Sequence, residues 1–133
     1  WRGRGSTHVE VLDKVASSLQ LSADEYRKTA DLMVAAEAIA SRAGVPLDEQ
    51  ARLGLAAHLA SLCRRLARGE RVEAVDAALF EEVPILYRRM ARELVQPLYD
   101  ELGLDVDPTE VGLIALHYAA ARERAAEKNA GGG

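Results

Sequence analysis

The sequence predicts an all-α fold, a five-helix bundle with one more helix ahead of it. Three observations carry that prediction. Apolar residues recur at helical spacing in one segment after another. No run alternates apolar and polar residues with the β-branched content of a strand. Ala and Leu dominate a chain that is 49% hydrophobic yet only 5% aromatic, the composition of helices packed on helices. At 133 residues the chain is one domain by size.

The elements follow in order. Trp1 to Ser6 is Arg/Gly-rich and reads as a disordered leader or tag remnant, with no apolar stretch of a signal peptide. Val9, Leu12, Val15, Ala16 and Leu19 then mark an extra N-terminal helix within residues 7–21. Ser22 and Glu25 form a capping-box pair, so a second helix starts there. Its expected apolar face is Tyr26, Ala30, Met33, Val34, Ala38 and Ile39, and Gly44 ends it before Val45-Pro46. The third helix starts near Leu47 or Asp48 and carries a stripe of Leu55, Leu59, Leu62 and Leu66 up to a stop at Gly69. Val72, Val75, Leu79 and Phe80 are spaced for a short helix packing by its apolar corner. Pro84 opens the next helix, through Ile85, Met90, Leu94, Val95, Leu98 and Leu102, with Pro97 expected to kink it.

The last helix organises the rest. Asp107 can accept hydrogen bonds from the free N–H groups of a first turn, and Pro108 suits the first helical position. Glu110 adds negative charge where the helix dipole favours it. The segment then runs apolar to Arg122 around a single imidazole, His117. It frays toward a disordered tail over residues 129–133, so the bundle proper spans 22–128.

Composition removes several function classes. A net charge of −4 argues against a nucleic-acid surface. A single cysteine, Cys63, forbids an internal disulfide and fits a reducing cytoplasm, where it acts as a small core filler. No apolar run approaches the roughly 20 residues of a membrane span.

Two histidines carry the chemistry. His58 stands among Leu55, Leu59 and Leu62, with Arg65 seven residues on; His117 stands among Leu113, Ile114, Leu116 and Tyr118, with Arg124 seven residues on. Each alone reads as a satisfied histidine at a helix contact; the matched settings weaken that reading. No Asp, Glu or Cys lies three or four residues after either ring, so no metal pair is expected, and no cofactor motif is present. An oxyanion-hole motif is also missing, so no catalytic residue is assigned. A neutral imidazole nitrogen is a good nucleophile for phosphorus, and an ordinary pKa of about 6.5 leaves it mostly unprotonated near neutrality. Phosphorylation would add close to two negative charges at a helix contact. Arg64, Arg65 and Arg124 are the candidate pairing groups, because guanidinium makes planar bidentate pairs with phosphate.

Two motifs in order resemble one family. The first is His58-Leu59-Ala60-Ser61-Leu62-Cys63-Arg64-Arg65-Leu66-Ala67-Arg68-Gly69, a histidine with arginine at plus seven and a nearby glycine. The second is Glu110-Val111-Gly112-Leu113-Ile114-Ala115-Leu116-His117, an acidic-hydrophobic-glycine step leading to Leu-His. Between them, Leu79 to Tyr87 looks like the segment before the family's fourth helix. From about Asp31 to Arg122 the chain resembles the PTS regulation domain, the phosphorylatable histidine module of bacterial sugar-operon antiterminators and activators.

The resemblance implies a helical bundle that homodimerises with its histidines, here His58 and His117, near the interface. It implies phosphate arriving from the histidine phosphocarrier protein or from a sugar-transporter component of the phosphotransferase system. It also implies a switch acting on an attached RNA- or DNA-binding domain; none is expected within these 133 residues, which read as a fragment of a larger regulator or as a stand-alone module acting through partners. The chain departs from the pattern at Ala57, where the family often has Asp, and at Ala74-Val75-Asp76, where it often has Asn-Pro-Leu. Both departures bear on His58 more than on His117. The expected function is thus a non-enzymatic regulatory module in the cytoplasm. A degenerate dimerisation module of the same fold is the alternative, and a small metal protein or enzyme using His58 and His117 is a third reading.

Overall fold

The computed structural model describes the backbone of residues 7–132 and the side chains of residues 10–129. The expected leader, Trp1 to Ser6, lies outside the described residues. Five α-helices follow one another: α1 Thr7–Leu19, α2 Ala23–Ala43, α3 Glu49–Ala67, α4 Ile85–Leu102 and α5 Pro108–Gly132. A 3-10 turn, Ala77–Phe80, lies between α3 and α4. No strand occurs among the described residues, and none of their helices is long and apolar enough to cross a membrane.

Local chemistry sets the helix ends. Ser22 Oγ accepts from the Glu25 N–H at 3.1 Å while Glu25 Oε1 accepts from the Ser22 N–H at 2.9 Å, the reciprocal pair of a capping box. Asp48 caps α3 by accepting from the Ala51 N–H at 2.9 Å. Asp107 accepts from the Thr109 N–H at 2.9 Å, with Pro108 as the first helical residue of α5. Gly44 and Gly103 close α2 and α4 in the left-handed region, at φ 71° and 68°, where a Cβ would be strained.

Helix α3 runs through the middle, with α1, α2 and α5 packed on it; α4 packs on α5 and α2. Leu55, Leu59 and Leu62 of the expected stripe are fully buried, and Leu66 packs at its edge. Met33, Val95, Ile114 and Tyr118 complete the centre. The Tyr118 hydroxyl donates to the Ala36 carbonyl at 3.1 Å, so its polar end is satisfied inside the core. Cys63 is buried, as a core filler should be.

Several expectations shift. The buried face of α2 is Thr29, Met33, Ala36, Ile39 and Ala40, whereas Val34 is 61% exposed and Ala38 also faces out. The helix turned by about one position because alanines, which fit close helix approaches, line the inner face. In α1, Val11 joins Leu12 and Val15 in the core. The helix expected around Val72 to Phe80 contracts to the 3-10 turn: Phe80 is buried and Leu79 is 66% exposed. Ile85 and Leu102 of α4 are also exposed. Helix α4 continues through Pro97, which sits on the exposed side where water can serve the carbonyl that loses its N–H partner. The tail expected to be disordered from residue 129 is helical through Gly132.

Candidate functional site

The facing surfaces of α3 and α5 hold the site. His58 and Arg65 lie two turns apart on α3; Glu110 and His117 lie two turns apart on α5. Residues seven apart share a helix face, so the packing of α3 on α5 brings both pairs together.

Glu110 is the hub. Its side chain is 2% exposed. One oxygen, Oε1, lies 2.8 Å from His58 Nε2. Arg65 grips the same carboxylate through two nitrogens, with Nη2 donating to Oε2 at 2.7 Å and Nε donating to Oε2 at 3.1 Å; Nη2 also reaches Oε1 at 2.9 Å. Burial pushes the Glu110 carboxyl up, but the hydrogen bonds from His58 and Arg65 outweigh it and hold the group below its usual range. The carboxylate is therefore ionised near neutrality, and only a protonated Nε2 can satisfy it. The neutral form of the His58 ring is therefore held with its hydrogen on Nε2 and its lone pair on Nδ1.

The two imidazoles are neighbours, with ring centroids 6.0 Å apart and planes inclined at 58°. His117 rests against α3 at Gly54, whose missing side chain makes its place: a Cβ there would come within 2.9 Å of the ring's Cε1 and Nδ1. Burial first, then the positive charge available on His58 and on Arg124, pushes His117 below the usual imidazole value. A neutral ring results, as a nucleophile requires. Among the described residues, neither His117 nitrogen nor His58 Nδ1 has a hydrogen-bond partner, and none of the three is sealed from solvent. Ala57, Ser61, Leu113 and Ala120 are partly exposed around the rings, and Leu116 is well exposed.

The structure divides the three candidate arginines. Arg65 is in the site, engaged by Glu110. Arg64 turns to α2, donating to both Glu25 oxygens at 2.9 and 3.1 Å and to the Gln20 carbonyl at 3.1 Å. The Arg64 hydrogen bond, joined by that of the Ser22 N–H, draws the Glu25 carboxyl down to about 2. Arg124 caps the other end of the helix pair, donating to Asp48 at 2.8 and 3.1 Å. Arg64 and Arg124 would each have to leave a carboxylate to meet a phosphate on either ring.

Sequence reasoning missed two members of the site. Glu110 is read there for its place in the helix dipole and as the acidic residue of the second motif, without a role in the site, and Gly54 is not singled out. The signal for Glu110 was its position two turns before His117, matching Arg65 two turns after His58. Gly54 is a glycine inside an otherwise strong helix, a hint of close approach. A further cavity of about 350 Å³ adjoins the hub, lined by Leu66, Arg71, Tyr99, Asp107 and Glu110 among others.

A family model for the PRD domain matches residues 35–121, which contain both His58 and His117 and more than half of the chain. The chain belongs to the PRD domain family. No curated protein and no solved structure matches it. The PRD match begins inside α2 and ends at Ala121, so α1 lies outside it and His58, Arg65, Glu110 and His117 lie within it. The PRD domain is a helical domain, in agreement with the bundle described above.

Proposed function

We propose that this PRD domain is a regulatory module whose His117 and His58 accept a phosphoryl group, delivered by the histidine phosphocarrier protein or a transporter component of the phosphotransferase system. The observation that carries the reading is the pair of imidazoles 6.0 Å apart, with unpartnered ring nitrogens that are not sealed from solvent, beside the ion pair of Arg65 with the buried Glu110. Two added dianions at such a spacing repel strongly unless guanidinium closes in. Arg65 already stands in the site, on the Glu110 carboxylate that His58 also contacts. The exposed Leu116, with Leu113 and Ala120 beside it, offers an apolar surface for a second copy, so phosphorylation would act on a homodimer and through it on transcription. The module is not an enzyme in this reading and works in the cytoplasm.

Phosphate transfer from a purified phosphocarrier tests it. Label on His117, lost in His117→Asn, is expected; no label on either ring under conditions that label another PRD domain would overturn the reading. A dimerisation module without phosphotransfer is the second reading. Ala57 in place of the family's frequent Asp favours it for His58.

A further inference from the structure

We propose that His58 takes a phosphoryl group on Nδ1 and not on Nε2, and that Glu110 is the positioning residue that makes this choice. The inference rests on the reading of His58 as an acceptor and adds the atom at which it reacts.

Glu110 Oε1 stands 2.8 Å from Nε2, and the carboxylate's other contacts come from the Arg65 guanidinium. A carboxylate so surrounded accepts and does not donate. The hydrogen between the two groups therefore belongs to Nε2, and the ring's free lone pair is on Nδ1. Attack through Nε2 would require that nitrogen to lose its hydrogen and its partner, in a place where Glu110 is 2% exposed. It would also set a phosphate dianion against a buried carboxylate, a like-charge contact in low dielectric. Attack through Nδ1 needs neither change. Nδ1 has no partner among the described residues and is not sealed.

The step balances. The Nδ1 lone pair forms the N–P bond as the donor's P–N bond breaks, and the leaving nitrogen takes that electron pair and a proton from solvent. His58 keeps its hydrogen on Nε2, so the ring becomes an imidazolium facing Glu110. A carboxylate is the charge partner that such a ring needs. Retaining that proton also keeps the N–P bond labile, which suits a mark that has to be removed. The Glu110–Arg65 pair stays closed throughout, so phosphate on His58 adds charge at the α3–α5 surface without opening the hub.

Two measurements on the full chain test this without a carrier protein. Long-range proton–nitrogen correlation spectra of the nitrogen-15-labelled chain should show His58 with a protonated Nε2 and a lone-pair Nδ1; the reverse tautomer would overturn the proposal. Potassium phosphoramidate, a small chemical donor, should then phosphorylate His58 in a His8→Asn, His117→Asn background, with phosphorus NMR identifying the Nδ1 isomer. The Nε2 isomer, or no reaction where free imidazole reacts, would overturn it. In Glu110→Ala the preference for Nδ1 should fall at least severalfold, and an unchanged isomer ratio would remove Glu110 from the role. A chain that gives the Nδ1 isomer with phosphoramidate yet takes nothing from a phosphocarrier would sink the signalling reading and leave this one standing.

Discussion

The imidazole of His117 fills the space that a side chain at Gly54 would occupy, with Cε1 and Nδ1 each 2.9 Å from where a Cβ would be. The ring is held in place by an absence on the neighbouring helix. Gly54→Ala should therefore push the ring outward. Alanine improves the helix by about 1 kcal/mol over glycine, which offsets most of the cost of moving a ring that can rotate. Stability by urea unfolding should change by less than about 1 kcal/mol. The His117 pKa, followed by NMR, should rise toward the ordinary imidazole value as the ring gains water. An unmoved His117 titration would show that Gly54 does not set the ring's place.

Gly112 makes the opposite case. A Cβ there would lie 2.5 Å from the Phe80 ring, which is itself buried against α5 by the 3-10 turn. At 8% exposure Phe80 is packed against α5, so the ring and the turn that carries it must shift together. Gly112→Ala should cost about 1–3 kcal/mol by overpacking, partly offset by helix propensity. The urea midpoint reads it, and a gain in stability would mean that the turn yields freely.

Breaking the hub should be expensive. Arg65→Met leaves the Glu110 carboxylate buried with only His58 to serve it. Loss of one partner of a buried ion pair costs about 3–5 kcal/mol, and here His58 remains, so about 3 is expected. Arg64→Met also removes a carboxylate partner, but Glu25 stands at 18% exposure and can turn to water. Its loss should be clearly smaller. Equal losses in denaturant unfolding would contradict the ranking of the two pairs.

Acid should weaken the fold through two groups of the site. His117 is pushed below its unfolded value of about 6.5, so below that pH the unfolded chain binds a proton that the folded chain resists. Glu110 is also held low, so its contribution is complete above the unfolded carboxylate value and fades as pH falls through the folded one. Stability should fall as pH drops below about 6.5, and again below about 4.3. His117→Asn should flatten the first fall and leave the second. A first fall of unchanged slope in the variant would assign it elsewhere.

Much of this was legible in the sequence, and the exceptions have physical causes. Caps were readable because they are local: Ser22 with Glu25, Asp48, and Asp107 before Pro108 each announce a helix start within four residues. The leucine stripe of α3 was readable because a central helix buries a wide face. The inner face of α2 was not, because alanines carry too little hydrophobic contrast to outvote Val34. Phe80 and Leu79 show why residues 70–83 misled: apolar spacing was present, but only one of the pair found a partner, at Gly112. His58, His117 and Arg65 were visible as chemical types at suggestive intervals. The meeting of His58 and Arg65 on Glu110, and of the two rings, depends on how α3 crosses α5, which periodicity does not encode.

The far half of α5 is fastened to the elbow between α2 and α3. Arg122 donates to the Gly44 carbonyl at 2.7 Å, and Arg124 holds Asp48. His117 lies on the same helix five and seven residues before these two arginines, so a shift of α5 along its axis would load the elbow together with the histidine surface.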